Sequence, residues 1–416
     1  MTTIDLAADP SRDVRDRVAA ASDIFELPDK IWFQKTAAAV IDTGRCVRCG
    51  SCIAACPSNS IGVGADSLPT LVRMCTGCSS CWDYCPMAGL STDRLQELWP
   101  GPDARRAQDG QAPVDGIGPV RAAYMARARG RVTGQDGGVV TALLAELVRG
   151  DFVHGAIVSR RQDALHGRTV LATTVEQVEQ GAGSVYDQTY ALAALSRALP
   201  KGVDRIAMVG TPCQIAGLRA LQRYPWRYRA APVEKVTLAV ALFCTRSFDP
   251  DRLTLELARR GIDVNAAAKV DIRDGVFRVY DGDGGTLFEA RARDMRDATL
   301  RGCDECADFT GALADISVGN VGSRPGSTTV LIRTERGAEA WARAAAALDA
   351  EPLTDLTGVG GQAAGNRRRA ARVAGDIWQD GRLWLSYSEY LAARGGSNRG
   401  PATPPPFRSH HYTVAC

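Results

Sequence analysis

The sequence predicts a multidomain α+β and α/β chain: a small cysteine-rich module near the N-terminus, then an α/β core carrying an antiparallel insertion. Three observations predict it. Two runs, "CVRCGSCIAACP" (46–57) and "CTGCSSCWDYCP" (75–86), repeat one rhythm of four cysteines and a proline. From residue 120 short apolar runs alternate with helical periods, the grammar of a layered α/β unit. Within that unit residues 270–294, "VDIRDGVFRVYDGDGGTLFEARARD", alternate around turn signals as antiparallel strands do.

Taken in order, residues 1–42 form an N-terminal extension, 43–95 the cysteine module, and 96–119, rich in Pro, Gly and Asp, a linker. The core spans 120–345, a helical region 346–395, and a flexible tail 396–416. "RAAYMARA" and "FVHGAIVS" read as strands with the helix "DGGVVTALLAELVRG" between them. "RIAMVG" and "VTLAVALFC" read as buried strands, followed by the helical stretches "QIAGLRALQRY" and "PDRLTLELARRG".

The 416 residues carry 50 basic and 47 acidic side chains without a concentrated basic run, which argues against a nucleic-acid partner. No apolar stretch reaches membrane-spanning length and the charged N-terminus is no secretory signal, so a cytoplasmic protein without direct membrane insertion is expected. In a reducing compartment thirteen cysteines point to metal or redox chemistry rather than disulfides.

Each run has the spacing C-x2-C-x2-C-x3-C-P, the ligand run of the bacterial two-cluster ferredoxin. Three close thiolates hold one 4Fe-4S cluster and the fourth crosses to the other. The expected sets are Cys46, Cys49 and Cys52 with Cys85, and Cys75, Cys78 and Cys81 with Cys56. A zinc-binding scaffold or nucleic-acid module is the competing reading, but zinc knuckles gain nothing from a third cysteine in register. Arg45, Arg48 and Arg73 favour a more negative reduced cluster if near it, or are ordinary solvated charges.

In the core, "GQDGGVVTALLAEL" (134–147) sets Gly137 and Gly138 where a loop enters a helix, allowing close backbone approach and offering amides to a phosphate or flavin carbonyl. "MVGTPCQIAG" (208–217) repeats the arrangement at a strand end, where open α/β sheets bind ligands. Either is equally a plain turn when read alone.

Residues 120 to about 340 resemble the beta subunit of coenzyme F420-reducing hydrogenase and its relatives, through "GQDGGVVTALL", "GTPCQIAGLRAL", "FC" at 243–244 and residues 302–334, "GCDECADFTGALADISVGNVGSRPGSTTVLIRT". The double-cluster module matches the electron-input subunit of F420-dependent dehydrogenases. The resemblance implies a flavin-binding core in which FAD exchanges hydride with coenzyme F420 and itself carries the chemistry, so no catalytic side chain is named. It implies flavin contacts at Gln135, Asp136, Gly137, Gly138, Thr141, Thr211, Pro212 and Gln214, and at Asn320, where related sequences often carry Asp. Arg246, Lys201 and Arg324 are candidates for the anionic tails of either cofactor, or plain surface charges.

It also places the counterparts of Cys213, Cys244, Cys303 and Cys306 around a third 4Fe-4S cluster beside the FAD. The alternative for these four is two buried small apolar residues and a redox pair. The implied function is hydride transfer between coenzyme F420 and FAD, with single electrons passed to or from a redox protein such as ferredoxin, a respiratory complex or a reductase subunit. The competing enzyme reading is a ferredoxin-dependent flavin reductase of a small organic substrate, as in chlorophyll-type reductases.

Overall fold

The computed structural model describes residues 31–90, 92, 95–96, 116–130, 135–196, 199–223 and 231–374. The N-terminal extension to residue 30, most of the linker, the end of the helical region and the tail lie outside the described residues.

The module opens with α1 (Phe33–Thr36), which runs on as a π-turn over Ala37–Ile41. Then come α2 (Ser51–Ala55), the hairpin strands β1 (Ile61–Val63) and β2 (Pro69–Leu71), and α3 (Ser80–Asp83). Both α2 and α3 start inside a cysteine run, entered through left-handed residues, Gly50 (φ 87°) and Ser79 (φ 65°). That turn wraps the chain tightly, and at Gly50 an added Cβ would stand 2.9 Å from the Ala193 nitrogen, so only glycine fits.

The core continues with β3 (Ala122–Ala128), α4 (Val139–Arg149), β4 (Gly155–Arg161), β5 (Gly167–Ala172), α5 (Val175–Glu179), β6 (Ile206–Gly210), α6 (Pro212–Arg223), β7 (Val236–Leu242) and α7 (Pro250–Arg259). The insertion is β8 (Lys269–Arg273), β9 (Val276–Tyr280) and β10 (Thr286–Arg291), after which the chain returns with β11 (Ile316–Gly319), β12 (Thr328–Ile332), α8 (Glu335–Ala344), β13 (Leu348–Pro352) and α9 (Thr357–Ala374).

One eight-stranded sheet has the order β13-β3-β12-β11-β7-β6-β4-β5. Its centre, β11-β7-β6-β4, is parallel, and β5 on one flank and β12, β3 and β13 on the other pair antiparallel, so the sheet is mixed. The central strands read as continuous apolar runs because helices or loops cover both faces: every residue of β6 is buried. The insertion forms a separate antiparallel sheet, β10-β9-β8, whose alternation turns Phe277 and Val279 inward.

Module and core share one interior. Ala54, Ala55, Tyr84 and Leu90 pack in the same apolar cluster as Leu192, Ile206, Leu218 and Leu221. The fit is close: a Cβ on Gly217 of α6 would lie 2.0 Å from the Ser51 hydroxyl, and one on Gly302 would lie 2.0 Å from the Arg45 carbonyl oxygen. Two buried ion pairs cross the same boundary. Arg45 grips Glu305 through Nε to Oε1 at 2.7 Å and a second nitrogen to Oε2 at 2.6 Å, and Arg48 meets Asp249 at 2.9 Å. These arginines, which sequence reading allows to be solvated, are 2% and 4% exposed because each finds a carboxylate in the core.

Candidate redox site

The thiols gather in three groups of four. In the first, burial pushes the Cys52 thiol up and the neighbouring Cys46, Cys49, Cys85 and Cys81 push it further. Burial raises Cys85 too, with Cys49 and Cys46 adding to it. The fourth cysteine of the second run thus stands among the first three of the first run. In the second group Cys56, Cys75, Cys78 and Cys81 line one small cavity, walled by Ile31 and Ile61.

The third group lies in the core. Burial drives the Cys213 thiol up, and Cys49, Cys306 and Cys244 contribute in that order. Cys244 is pushed up to about 12 by burial and then by Cys303. Burial raises Cys306 as well, followed by Asp308, Cys303 and Cys244. Cys213 follows β6 and Cys244 follows β7, so both stand at the carboxyl edge of the parallel strands, where open sheets take ligands. The third group adjoins the first: Cys303, Cys49 and Cys85 lie in one packed cluster with Cys46 and Cys213 against it.

Thiolates crowded in a desolvated site repel one another and require cationic centres to neutralise them. The groups gather around shared space rather than on a point: among the described residues no three His, Cys, Asp or Glu side chains converge closely enough to hold a single metal ion. Donors already aim at the sulfurs. The amides of Arg48, Ser60 and Gly77 donate to Cys46 (3.4 Å), Cys56 (3.2 Å) and Cys75 (3.4 Å). The Gln188 side-chain amide donates to Cys213 at 3.2 Å and the Ser247 amide to Cys303 at 3.5 Å. Such donors stabilise metal-bound sulfur and tune its potential.

Arg369 of α9 donates to the carbonyls of Thr245, Cys303 and Cys306 at 3.1, 3.2 and 3.4 Å, bringing a cation to the third group, and Arg246 is held nearby by Asp304 at 2.7 Å. Sequence reading missed Gln188 and Arg369. Neither sits in a cysteine motif, and α9 falls in the region read as lying beyond the core.

The residues expected around a flavin fall on the same edge of the sheet. The Gly137 amide donates to the Thr328 hydroxyl at 3.1 Å, and a Cβ at Gly137 would stand 2.7 Å from the Ala126 carbonyl oxygen, so this glycine answers to the protein's own backbone. Gly138, at φ 66°, is the N-cap of α4, and no side chain caps that helix end; Thr141 lies buried in its first turn. Gln135 donates to the Tyr186 hydroxyl at 2.6 Å and to Asp271, and Asp136 pairs with Arg273 at 3.4 Å.

At the start of α6, the Thr211 amide donates to the Gln214 side chain at 3.0 Å, Pro212 is buried, and the Thr211 hydroxyl lies 3.2 Å from the Cys213 sulfur. These three therefore frame Cys213. Asn320 follows β11, and its carbonyl accepts from Ser323. Of the suggested anion partners, Lys201 is exposed, and Arg246 and Arg324 are paired with Asp304 and Glu351. A further cavity, of about 430 Å³, opens between module and core beside Cys46, Arg48, Arg252, Leu255 and Leu300.

Comparison with known proteins agrees with this layout. Residues 38–86 match the 4Fe-4S dicluster domain. Residues 120–196 and 203–355 match the N-terminal and C-terminal models of the coenzyme F420 hydrogenase/dehydrogenase beta subunit. The chain is 31% identical over 316 residues to the coenzyme F420-dependent sulfite reductase of Methanocaldococcus jannaschii, an alignment that takes in 72% of this chain and 46% of that protein. It is 32% identical over 215 residues to the coenzyme F420 hydrogenase subunit beta of Methanosarcina barkeri, covering 51% of this chain and 73% of the subunit. Among solved structures, a chain of the F420-reducing NiFe hydrogenase complex from Methanosarcina barkeri superposes with a TM-score of 0.58 at 28% identity, over 64% of this chain and 94% of that one.

A dicluster module joined to a core of this kind is the organisation of the F420-related iron-sulfur oxidoreductase family. The chain belongs to the coenzyme F420 hydrogenase/dehydrogenase beta subunit family. Among the described residues no helix is long and apolar enough to cross a membrane.

Proposed function

We propose that this chain exchanges a hydride between coenzyme F420 and FAD at the carboxyl edge of the large sheet, and exchanges single electrons with a redox protein through three 4Fe-4S clusters. In the oxidative direction reduced coenzyme F420 gives up two electrons and two protons, and two one-electron acceptors each take one electron. FAD, when bound, supplies the conversion between paired and single electrons.

The reading rests chiefly on the contiguity of the thiol groups. Cys303 of the third group packs in one cluster with Cys49 and Cys85 of the first, and Cys46 and Cys213 lie against it, so a cluster in the core has a neighbour in the module. The third cluster takes Cys213, Cys244, Cys303 and Cys306 as ligands, and the module clusters take the crossed sets. The N-terminus of α4 supports the flavin position. Side chains of Thr174, Asp249 and Thr334 cap α5, α7 and α8, whereas α4 starts at Gly138 without one, leaving first-turn amides for the phosphates of FAD. The Thr141 hydroxyl adds a donor. Gln135 and Asp136 shape that loop through Tyr186 and Arg273. Cys75 and Cys78 are partly exposed and flanked by the exposed Arg73, Met74 and Thr76, which supports docking of the redox protein at the second module cluster.

A second reading, reduction of a small organic substrate with electrons from ferredoxin, draws support from the cavity of about 430 Å³ beside Cys46, which is of small-molecule size. Anaerobic iron and flavin analysis of the full chain tests the main reading. About twelve irons, three cubanes of four, with about one FAD are expected; about eight irons, or no flavin, would contradict it.

A further inference from the structure

Residues 184–190 touch, in order, the loop proposed for the flavin, the core thiols and the first module group. The Ser184 amide donates to Gln135 and the Tyr186 hydroxyl accepts from it. Two residues on, Gln188 reaches Cys213 and Thr211. Two further, Tyr190 packs with Cys46 and Cys52. Two residues between them anchor the segment: Asp187 accepts from the Gly167 amide at 3.2 Å, and the Thr189 hydroxyl lies 2.6 Å from that of Ser159.

Gln188 is the member that reaches the core thiols. It is 4% exposed and spends its whole amide on the thiol site. Its Nε2 donates to the Cys213 sulfur at 3.2 Å and to the Thr211 hydroxyl at 2.8 Å, while its Oε1 accepts from the Ser247 hydroxyl at 3.1 Å. Ser247 in turn gives its backbone amide to Cys303. One side chain thus ties the surroundings of two of the four core cysteines together.

We propose that Gln188 is the positioning residue that sets the reduction potential of the core cluster, by holding an N–H on the Cys213 sulfur while Ser247 fixes the amide's orientation. This rests on the proposed cluster at Cys213, Cys244, Cys303 and Cys306. When that cluster takes up one electron from a reductant such as dithionite, charge on its sulfurs rises and the hydrogen bond strengthens, so the donor favours the reduced state.

The test is an EPR-monitored anaerobic redox titration of the full-length protein, with iron counted in the same samples. In Gln188→Leu the ratio of reduced to oxidised core cluster at a fixed potential should fall about tenfold, which is ~59 mV for one electron, while the two module clusters titrate as in the parent. Gln188→Glu keeps the size and the acceptor for Ser247 but removes the donor and adds a charge, so its ratio should fall at least as far. Ser247→Ala, which loosens the amide without removing it, should shift the same way by less. A Gln188→Leu or Gln188→Glu protein that holds about twelve irons and titrates like the parent would overturn the proposal. A parent with about eight irons would overturn the core cluster itself, and with it this role for Gln188.

Discussion

The buried pair between Arg45 and Glu305 gives a sharp test of how module and core are joined. Arg45 is 2% and Glu305 1% exposed, and the two meet through a double hydrogen bond at 2.7 and 2.6 Å, with a further bond from Arg45 to the Ala39 carbonyl at 3.1 Å. Glu305→Leu leaves the Arg45 guanidinium buried without its carboxylate; removing one partner of such a pair costs about 3–5 kcal/mol. Arg45→Met takes the guanidinium from the buried Glu305 carboxylate and should cost a similar amount. The double variant replaces the pair by apolar groups and should lie within about 1 kcal/mol of the parent, since a well-packed apolar substitute often matches a buried ion pair.

Anaerobic urea unfolding of the iron-loaded chain measures all three, with tryptophan emission as one probe because Trp82 is fully buried in the module. Cluster absorbance is the second probe. The expected coupling between the two sites exceeds about 2 kcal/mol, with the proposed core cluster bleaching early in the single variants because Glu305 stands between Cys303 and Cys306. Single variants that each lose less than about 1 kcal/mol, or losses that simply add in the double variant, would refute the reasoning.

Further outcomes follow from particular contacts. Cys303→Ser should lower the iron content from about twelve to about eight per chain and remove one EPR signal, since only one of the three proposed cubanes loses a ligand. Cys56→Ala should damage the cluster of the second run, because Cys56 lines the cavity with Cys75, Cys78 and Cys81; loss confined to the first-run cluster would refute that assignment. Gly138→Val forces a branched side chain into a left-handed backbone (φ 66°) at the uncapped end of α4, so flavin content should fall while module iron is kept; unchanged flavin would move the cofactor elsewhere. Gly302→Ala would set a methyl 2.0 Å from the Arg45 carbonyl oxygen and should lower the thermal midpoint measurably, with an unchanged midpoint ruling out this tight seam.

Much of this site can be read in the sequence because its signals are local. A duplicated cysteine spacing announces two clusters within about forty residues, and apolar runs such as "RIAMVG" become strands wherever both faces are covered. What stays hidden is non-local. Arg45 and Glu305 are 260 residues apart, and Arg48 and Asp249 201 apart, so no window of sequence reveals that these charges are buried together. The antiparallel flank of β12, β3 and β13 is likewise set by strands that meet only in space. Gly137 illustrates a subtler gap. Its glycine is legible as a close approach, but the neighbour is the Ala126 carbonyl, so substituting Gly137 would disturb the join of β3 and α4 before it reported on a cofactor. The shared interior of module and core also means that a chain cut at Gly118 would expose Leu192, Leu218 and their neighbours, and experiments should keep the full length.

The most direct test is an anaerobic titration of the full-length, iron- and flavin-loaded protein with reduced coenzyme F420, following flavin absorbance and cluster EPR in the same sample. The flavin band should bleach and reduced-cluster signals should appear, with one coenzyme oxidised for every two electrons stored. If flavin and clusters stay oxidised with the reduced coenzyme, while the same protein reduces a small organic acceptor using reduced ferredoxin, hydride exchange with coenzyme F420 is not its reaction.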